Sequence, residues 1–181
     1  MKLLFVTGNL HKFQEAERIL KEYDVIIERK DVKCEEIRAE SCEEVVLSCL
    51  SLLRRKMNKP FFVEDSGLFI KALNGFPGTL SSWVFKKIGN EGILRLMRGK
   101  SIRDARFISS VAAWDGKSEG VFSGEARGYI SRRMQGNDGF GYDPIFIPEG
   151  SKRTFAEEQA AKMLCSHRRR ALEKMAEWLG R

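Results

Sequence analysis

The opening 29 residues constrain the fold most, because strand-like and helix-like patterns alternate along them. An apolar run at residues 2–6 predicts a strand, and apolar side chains at positions 13, 16, 19 and 20 then follow helical spacing. A second β-rich run lies at residues 24–29. Two strands joined by one helix form a βαβ unit with parallel strands. The sequence therefore predicts an α/β protein.

The middle of the chain predicts that the sheet is mixed. Residues 61–63 form a third compact β run, and residues 68–73 either extend it or pair beyond it. Two longer runs, at 106–114 and 120–130, flank the turn dipeptide Asp115-Gly116. Such a pattern favours two long antiparallel strands.

Helices are predicted around this sheet. Ser41 and Glu44 have the spacing of a capping box and begin a helix that ends before Pro60. Two short helices at 82–88 and 92–97, divided by Gly89-Asn90, are expected to form a lobe, and two basic helices close the chain. We expect a single α/β domain over residues 1–181, with a long mixed central β-sheet flanked by helices and an active-site cleft between two lobes.

Composition excludes several classes of protein. The chain has 181 residues, of which 43% are hydrophobic and 31% charged, which is typical of one globular domain. The longest apolar runs are far shorter than the ~18 residues of a membrane span, and no secretory leader pattern opens the chain. We predict a cytoplasmic protein without a membrane partner.

The cysteines favour neither a zinc site nor a disulfide framework. Cys34, Cys42, Cys49 and Cys165 show no C-x-x-C spacing, and the two histidines lie at opposite ends of the chain. Cys42 and Cys49 share one face of a predicted helix, so we expect both to be buried free thiols.

Positive charge is concentrated near the end of the chain. Thirty-two Lys and Arg residues against 25 Asp and Glu residues give a net charge of +7, and residues 151–181 hold eight basic residues against four acidic ones. The segment is either a docking surface for an anionic ligand or a solvated, charged terminal helix. Charge alone leaves both open.

Two segments have the composition of a phosphate and metal site. Thr7-Gly8-Asn9 connects a strand to a helix, where unpaired N–H groups and Lys12 could bind phosphate, although such a turn is often only a helix cap. Glu64-Asp65, predicted at the carboxyl end of a strand, and Glu35-Glu36 offer oxygen ligands for Mg²⁺. The alternative is that these acidic residues are solvated in loops.

Two further segments could bind the rest of a nucleotide. Residues 139–144 combine glycines, two aromatic rings and Asp143, which suits stacking and hydrogen bonding of a base, or simply a tight turn. Lys162 and Ser166 are four residues apart and would share one face if a single helix continued through both, next to the basic residues 167–170.

Together and in order, these motifs resemble the inosine triphosphate pyrophosphatase family. The motifs are Thr-Gly-Asn-x-x-Lys, a glutamate near position 36, Glu-Asp-Ser-Gly, Gly-Phe-Pro-Gly, Phe-Gly-Tyr-Asp-Pro and Ser-His-Arg, and they span nearly the whole chain. The resemblance implies Mg²⁺-dependent hydrolysis of ITP, dITP and XTP to the monophosphate and pyrophosphate, which keeps these nucleotides out of DNA and RNA. It also implies a homodimer.

The resemblance assigns roles to individual residues. Asp65 and Lys12 would be catalytic, with Asp65 the proton acceptor, and Glu36 and Asp65 would bind magnesium. Substrate contacts would come from Thr7, Gly8, Asn9, Lys12, Ser66, Phe140, Gly141, Tyr142, Asp143, Lys162, His167 and Arg168. The chain departs from the family pattern at Ala161 and Met163, where Glu and Asn are common, and at Ser48-Cys49, where many members carry a lysine.

Two other functions are also compatible with the sequence. A related pyrophosphatase for other modified nucleotides would share the metal and the products but differ in the base. A basic nucleic-acid-binding module would explain the net charge through phosphate contacts. The acidic motifs favour the enzyme, for which we expect no stable nucleic-acid complex.

Overall fold

The computed structural model describes residues 1–32, 34 and 37–180. The strands in this part of the chain are β1 (Lys2–Val6), β2 (Ile26–Lys30), β3 (Phe61–Ile70), β4 (Pro77–Gly78), β5 (Asp104–Trp114), β6 (Glu119–Ile130) and β7 (Phe146–Pro148). The α-helices are α1 (Leu10–Lys21), α2 (Cys42–Arg54), α3 (Ser81–Leu96), α4 (Gln159–Cys165) and α5 (His167–Leu179).

The described strands form one mixed sheet in the order β2-β1-β3-β5-β6-β7, with β4 paired to β3. β1 is parallel to both β2 and β3, whereas the pairs β3–β5, β5–β6 and β6–β7 are antiparallel. The predicted βαβ unit and the long antiparallel pair are both confirmed. Ser41 caps α2 by accepting a hydrogen bond from the Glu44 N–H, and Gly89 breaks the helical geometry inside α3, as predicted.

One face of the sheet carries two apolar clusters separated by polar side chains. Phe62 and Val111 belong to a cluster covered by α1 and α5, while Leu68 and Phe107 belong to a second cluster toward α3 and β7. Side chains on one face of a strand recur every second residue. The positions between the clusters on this face are therefore Glu64 and Ser66 of β3 and Ser109 of β5. This polar band lies between the two predicted lobes.

The opposite face is covered by α2 over part of its length. Val46, Leu50 and Leu53 of α2 pack against Val63 and Ala112. Asp65 continues the Val63 face of β3, so Glu64 and Asp65 point to opposite sides of the sheet.

The structure corrects the prediction for the cysteines. Cys42 is a buried free thiol, as predicted, but Cys49 is half-buried and forms a disulfide with Cys34. Spacing could not reveal this pair, because β2 and α2 bring the two Cα atoms to 5.9 Å only after the chain has folded. The disulfide attaches Cys34, which follows β2, to α2.

His167 begins α5 as a buried neutral ring. It is 3% exposed and stacks on Phe107, with 4.6 Å between the ring centroids. Burial, reinforced by the charges of Arg168 and Lys162, lowers the pKa of His167 well below its usual value of 6.5. The stacked ring holds the first turn of α5 against the sheet, which fixes the position of Arg168.

Replacing Cys34 with serine is expected to lower the free energy of unfolding by about 3 kcal/mol, because the disulfide closes a loop of 15 residues in the unfolded chain. Guanidinium unfolding without reductant measures this, with Cys165→Ser, at a free thiol, as the matched control. Thiol titration of the unfolded, unreduced protein should find two thiols. Four titratable thiols would contradict the disulfide.

The buried His167 predicts a loss of stability in mild acid. Below about pH 6.5 the unfolded chain protonates this histidine while the folded protein does not, so the free energy of unfolding falls as the pH decreases, by up to about 1.4 kcal/mol per pH unit. His167→Phe keeps a ring on Phe107 without a titrating group. Its unfolding free energy, measured between pH 7 and pH 5, should fall less steeply than that of the wild type, and equal slopes would contradict the prediction.

Candidate functional site

The candidate site lies where β1 ends and β3 continues. β1 pairs with β3 only as far as Val6 opposite Val63, whereas β3 extends to Ile70 alongside β5. Glu64 and Asp65 therefore lie in the interior of β3, and the prediction that they end a strand is wrong. They lie instead beyond the carboxyl end of β1, where the chain turns into α1.

Glu64 is the centre of the site. Its side chain is fully buried, and its Oε2 lies 2.9 Å from Nζ of Lys12. Its Oε1 accepts hydrogen bonds from Ser109 Oγ at 2.6 Å and from Arg168 Nη2 at 3.2 Å. Burial alone would raise the pKa of Glu64, but Arg168 and Lys12 outweigh it and hold that pKa far below its usual range. Glu64 is therefore ionised.

The two cations that contact Glu64, Lys12 and Arg168, also remain in their charged forms. Burial lowers the pKa of Lys12, but the carboxylates of Glu64 and Asp65 raise it further, so the net shift is upward. Burial also lowers the pKa of Arg168, but the carboxylates of Glu64 and Glu15 have the larger effect, so the net shift of this pKa is again upward. Each group is stabilised by the others, because an unpaired charge at this depth would be costly.

Glu15 extends the cluster toward the C-terminal helices. Its carboxylate binds Arg168 Nη1 through one oxygen and Lys162 Nζ at 2.5 Å through the other. Lys162 also binds Asp143 Oδ2 at 2.7 Å. The result is a continuous row of alternating charges, which runs through Asp143, Lys162, Glu15, Arg168, Glu64 and Lys12.

Asp65 lies on the other face of β3, at the start of α2. It hydrogen-bonds with the thiol of Cys42, and burial followed by the charge of Asp65 raises the pKa of that thiol. Its charge also acts on Lys12. Asp65 is therefore electrostatically coupled to the cluster although it projects from the opposite face. Ser66, by contrast, lies on the cluster's own face, and its Oγ accepts a hydrogen bond from Arg168 Nη2 at 3.0 Å.

The predicted base-binding segment is only partly directed toward the cluster. Asp143 accepts a hydrogen bond from the Phe140 N–H at 2.9 Å, and Nζ of Lys162 lies 4.5 Å from the centre of the Phe140 ring. Tyr142 instead points into the core, where its hydroxyl donates to the Ser81 carbonyl. Its ring is therefore not available to a base.

The Thr7–Asn9 turn acts as a helix cap. Thr7 Oγ1 accepts a hydrogen bond from the Asn9 N–H, and Asn9 Oδ1 accepts from the N–H groups of His11 and Lys12. Two donors at the start of α1 are thus already satisfied. A phosphate role for Thr7, Gly8 and Asn9 remains a prediction.

The C-terminal residues reach the cluster by a route that the sequence did not indicate. α4 ends at Cys165 and Ser166 caps α5, so no single helix continues through Lys162 and Ser166, and the condition for their sharing one face is not met. The break between the two helices allows both Lys162 and Arg168 to contact Glu15. Both cations are 1% exposed, so the alternative of a solvated basic helix is wrong for them.

Sequence reasoning missed two members of the cluster. Glu15 lies three residues after Lys12 on one face of α1, a spacing that could have identified it. Ser109 is one of several small residues in β5 and carried no signal. The predicted metal ligand Glu36 lies outside the described residues, and within them no group of three or more His, Cys, Asp or Glu side chains is arranged to hold a metal ion. No helix within them is long and apolar enough to cross a membrane.

The chain is similar in sequence to curated proteins over almost its whole length. It is 49% identical to the dITP/XTP pyrophosphatase of Methanopyrus kandleri, with 98% of this chain and 96% of the relative covered. It is 47% identical to the dITP/XTP pyrophosphatase of Pyrococcus horikoshii, with 99% and 97% covered.

Solved structures share the fold. The Ham1 protein of Staphylococcus aureus matches with a TM-score of 0.85 at 26% identity, covering 99% of this chain and 98% of that one. The nucleoside-triphosphatase, or dITP/XTP pyrophosphatase, of Mycobacterium abscessus matches with a TM-score of 0.75 at 30% identity, covering 97% of each chain. The profile described as "Ham1 family" matches residues 3–178. The chain therefore belongs to the Ham1 family.

Proposed function

We propose that the protein hydrolyses the non-standard purine nucleoside triphosphates dITP, ITP and XTP to the monophosphate and pyrophosphate. The names of its curated relatives support this activity. The observation that carries the proposal is the buried row of alternating charges beyond the end of β1. Such a row is costly to build, and it places three cations beside carboxylates at one position in the fold.

The charge of the site supports a requirement for a divalent metal ion. Four acidic side chains outnumber three basic ones among the residues described above, so the cluster is not positive enough to hold a polyanion by itself. The acidic residues are Glu15, Glu64, Asp65 and Asp143, and the basic residues are Lys12, Lys162 and Arg168. A triphosphate needs further positive charge to bind here.

We propose that the ion is Mg²⁺ and that Asp65 is one of its ligands, with Glu36 as the other predicted ligand. Carboxylate oxygens are the donors that a hard cation prefers, and Asp65 follows Glu64 directly in β3 and acts electrostatically on Lys12. When bound, the ion supplies positive charge to the phosphate oxygens.

The remaining chemistry is positioning and charge stabilisation by this chain's own residues. Asp65 would accept the proton of a water directed at the α-phosphorus. Lys12, whose raised pKa keeps it charged, would stabilise negative charge that develops on the phosphate oxygens. Glu64 keeps the Lys12 ammonium in place before the substrate binds.

Hydrogen-bond donors near Phe140 would select the base. Nη1 and Nη2 of Arg168 are bound to carboxylates, whereas its buried Nε has no hydrogen-bond partner among the described residues. Hypoxanthine and xanthine carry a carbonyl at C6, which accepts a hydrogen bond, while adenine carries an amino group there. A buried donor left unpaired by adenine would disfavour ATP.

The alternative functions are less well supported. A nucleic-acid-binding module needs exposed cations along a surface, whereas Lys162 and Arg168 are buried and paired. A pyrophosphatase for other modified nucleotides would use the same phosphate chemistry, and substrate profiling distinguishes it. A homodimer and a cytoplasmic location also remain proposals.

Pyrophosphate release from dITP, ITP, XTP, GTP, ATP and dTTP, with and without Mg²⁺, tests the function directly. We expect metal-dependent release confined to dITP, ITP and XTP, and a loss of at least about 100-fold in kcat in Asp65→Asn, which cannot accept the proton. Release from dTTP alone would favour the related pyrophosphatase. No release from any nucleotide, with measurable binding to nucleic acid that weakens with salt, would contradict the proposal.

Lys12→Ala separates charge stabilisation from simple affinity. If Lys12 stabilises the transition state, kcat for dITP should fall by about 100-fold or more while KM changes less. Lys21→Ala, at the exposed end of the same helix, is the matched control and should retain wild-type kcat. A wild-type kcat in Lys12→Ala would exclude the assigned role.

A further inference from the structure

His11 stacks on the ring of Phe140. The two rings are nearly parallel, with an interplanar angle of 13° and 5.1 Å between their centroids. His11 is exposed at the first turn of α1, and Phe140 lies in the loop before β7. This contact joins the two predicted substrate-binding segments, which are separated by more than 100 residues.

Two buried cations also lie close to the Phe140 ring. Nζ of Lys162 lies 4.5 Å and Cζ of Arg168 lies 5.7 Å from the ring centroid, and both side chains are almost completely buried. His11, by contrast, is exposed, so a ligand arriving from solvent that displaces the imidazole gains access to the Phe140 ring. That His11 stacks there shows that this surface accepts a planar heterocycle.

The imidazole of His11 is free to make room for a base. Its backbone N–H is held by Asn9 Oδ1, but the described residues make no hydrogen bond to its side chain. Side-chain rotation can therefore separate the two rings without disturbing the start of α1. The neighbouring residue, Lys12, points to Glu64, so one helical turn carries both a phosphate-facing cation and a ring beside Phe140.

We propose that the purine of the substrate inserts between His11 and Phe140, with His11 stacking on its outer face. This inference rests on the proposed function and adds a base-binding residue that none of the motifs assigned. In the free protein the two rings stack on each other and keep the site closed. In the complex, the base stacks on both rings, so two base–ring contacts take the place of the single contact between His11 and Phe140.

The test compares His11→Ala, His11→Phe and the control Glu17→Ala, an exposed position farther along α1. Steady-state kinetics with dITP gives KM and kcat, and calorimetry gives the Kd of inosine monophosphate and of inorganic triphosphate, which has no base. Base–aromatic stacking is worth a factor of about ten or more in affinity.

We expect His11→Ala to raise the KM for dITP and the Kd for inosine monophosphate by about tenfold, with a much smaller change in kcat. The Kd for inorganic triphosphate should be unchanged, His11→Phe should restore base affinity, and Glu17→Ala should match the wild type. If His11→Ala disturbed the helix instead, the Kd for inorganic triphosphate would rise as well.

An unchanged or lower Kd for inosine monophosphate in His11→Ala would overturn the proposal, since His11 would then only compete with the base for Phe140. Failure of the proposed function is a separate result, because it appears as an absence of pyrophosphate release by the wild type. The calorimetric comparison with inosine monophosphate tests the stacking in either case.

Discussion

The structure depends on one buried carboxylate, that of Glu64. It lies in the middle of the polar band between the two apolar clusters, where an unpaired charge would destabilise the fold by several kcal/mol. Lys12 from α1, Arg168 from α5 and Ser109 from β5 each bind it. Three elements far apart in sequence are thereby held at one point. The geometry of the site follows from the requirement that this buried charge be paired and hydrogen-bonded.

The sheet makes this arrangement possible by ending one strand early. If β1 continued beside β3 past Val63, its backbone would fill the space that Lys12 now occupies. Because β1 stops and turns into α1, the first turn of the helix lies over the edge of β3 at Glu64. The cleft thus forms because β1 is shorter than β3. The part of β3 that extends beyond β1 is still paired with β5 along its other edge.

Local patterns predicted those parts of the fold that depend on local interactions. The βαβ unit, the capping box at Ser41 and the turn between β5 and β6 each follow from residues within a few positions of one another. The continuation of β3 through Glu64 and Asp65 could not be predicted in this way. Two acidic residues interrupt an apolar run and look like a strand end, and only distant partners make their burial favourable.

The same distinction holds for the candidate site. Lys12, Asp143, Lys162 and Arg168 lie in motifs chosen for their residue chemistry and for their resemblance to a known family, and the structure brings all four into one row of charges. Glu15 was missed because a single glutamate on an amphipathic helix looks like a surface residue. Tyr142 was assigned to base binding by its motif, yet its ring packs against Phe85 in the core. A motif identifies a segment, whereas packing decides which of its side chains face the ligand.

The departures from the family pattern also have structural consequences. Met163 packs against the apolar cluster under α1 and α5, and its carbonyl accepts a hydrogen bond from Arg169, so this position supports α5. Cys49 belongs to the pair Ser48-Cys49, near which many members carry a lysine, and it is bound to Cys34, two residues before Glu36 in the sequence. A lysine at this position would contribute a positive charge, whereas the disulfide links Cys34 covalently to α2. At this position the chain therefore has a covalent constraint on α2 in place of a cation, and Lys12, Lys162 and Arg168 are the cations that the buried carboxylates hold in place.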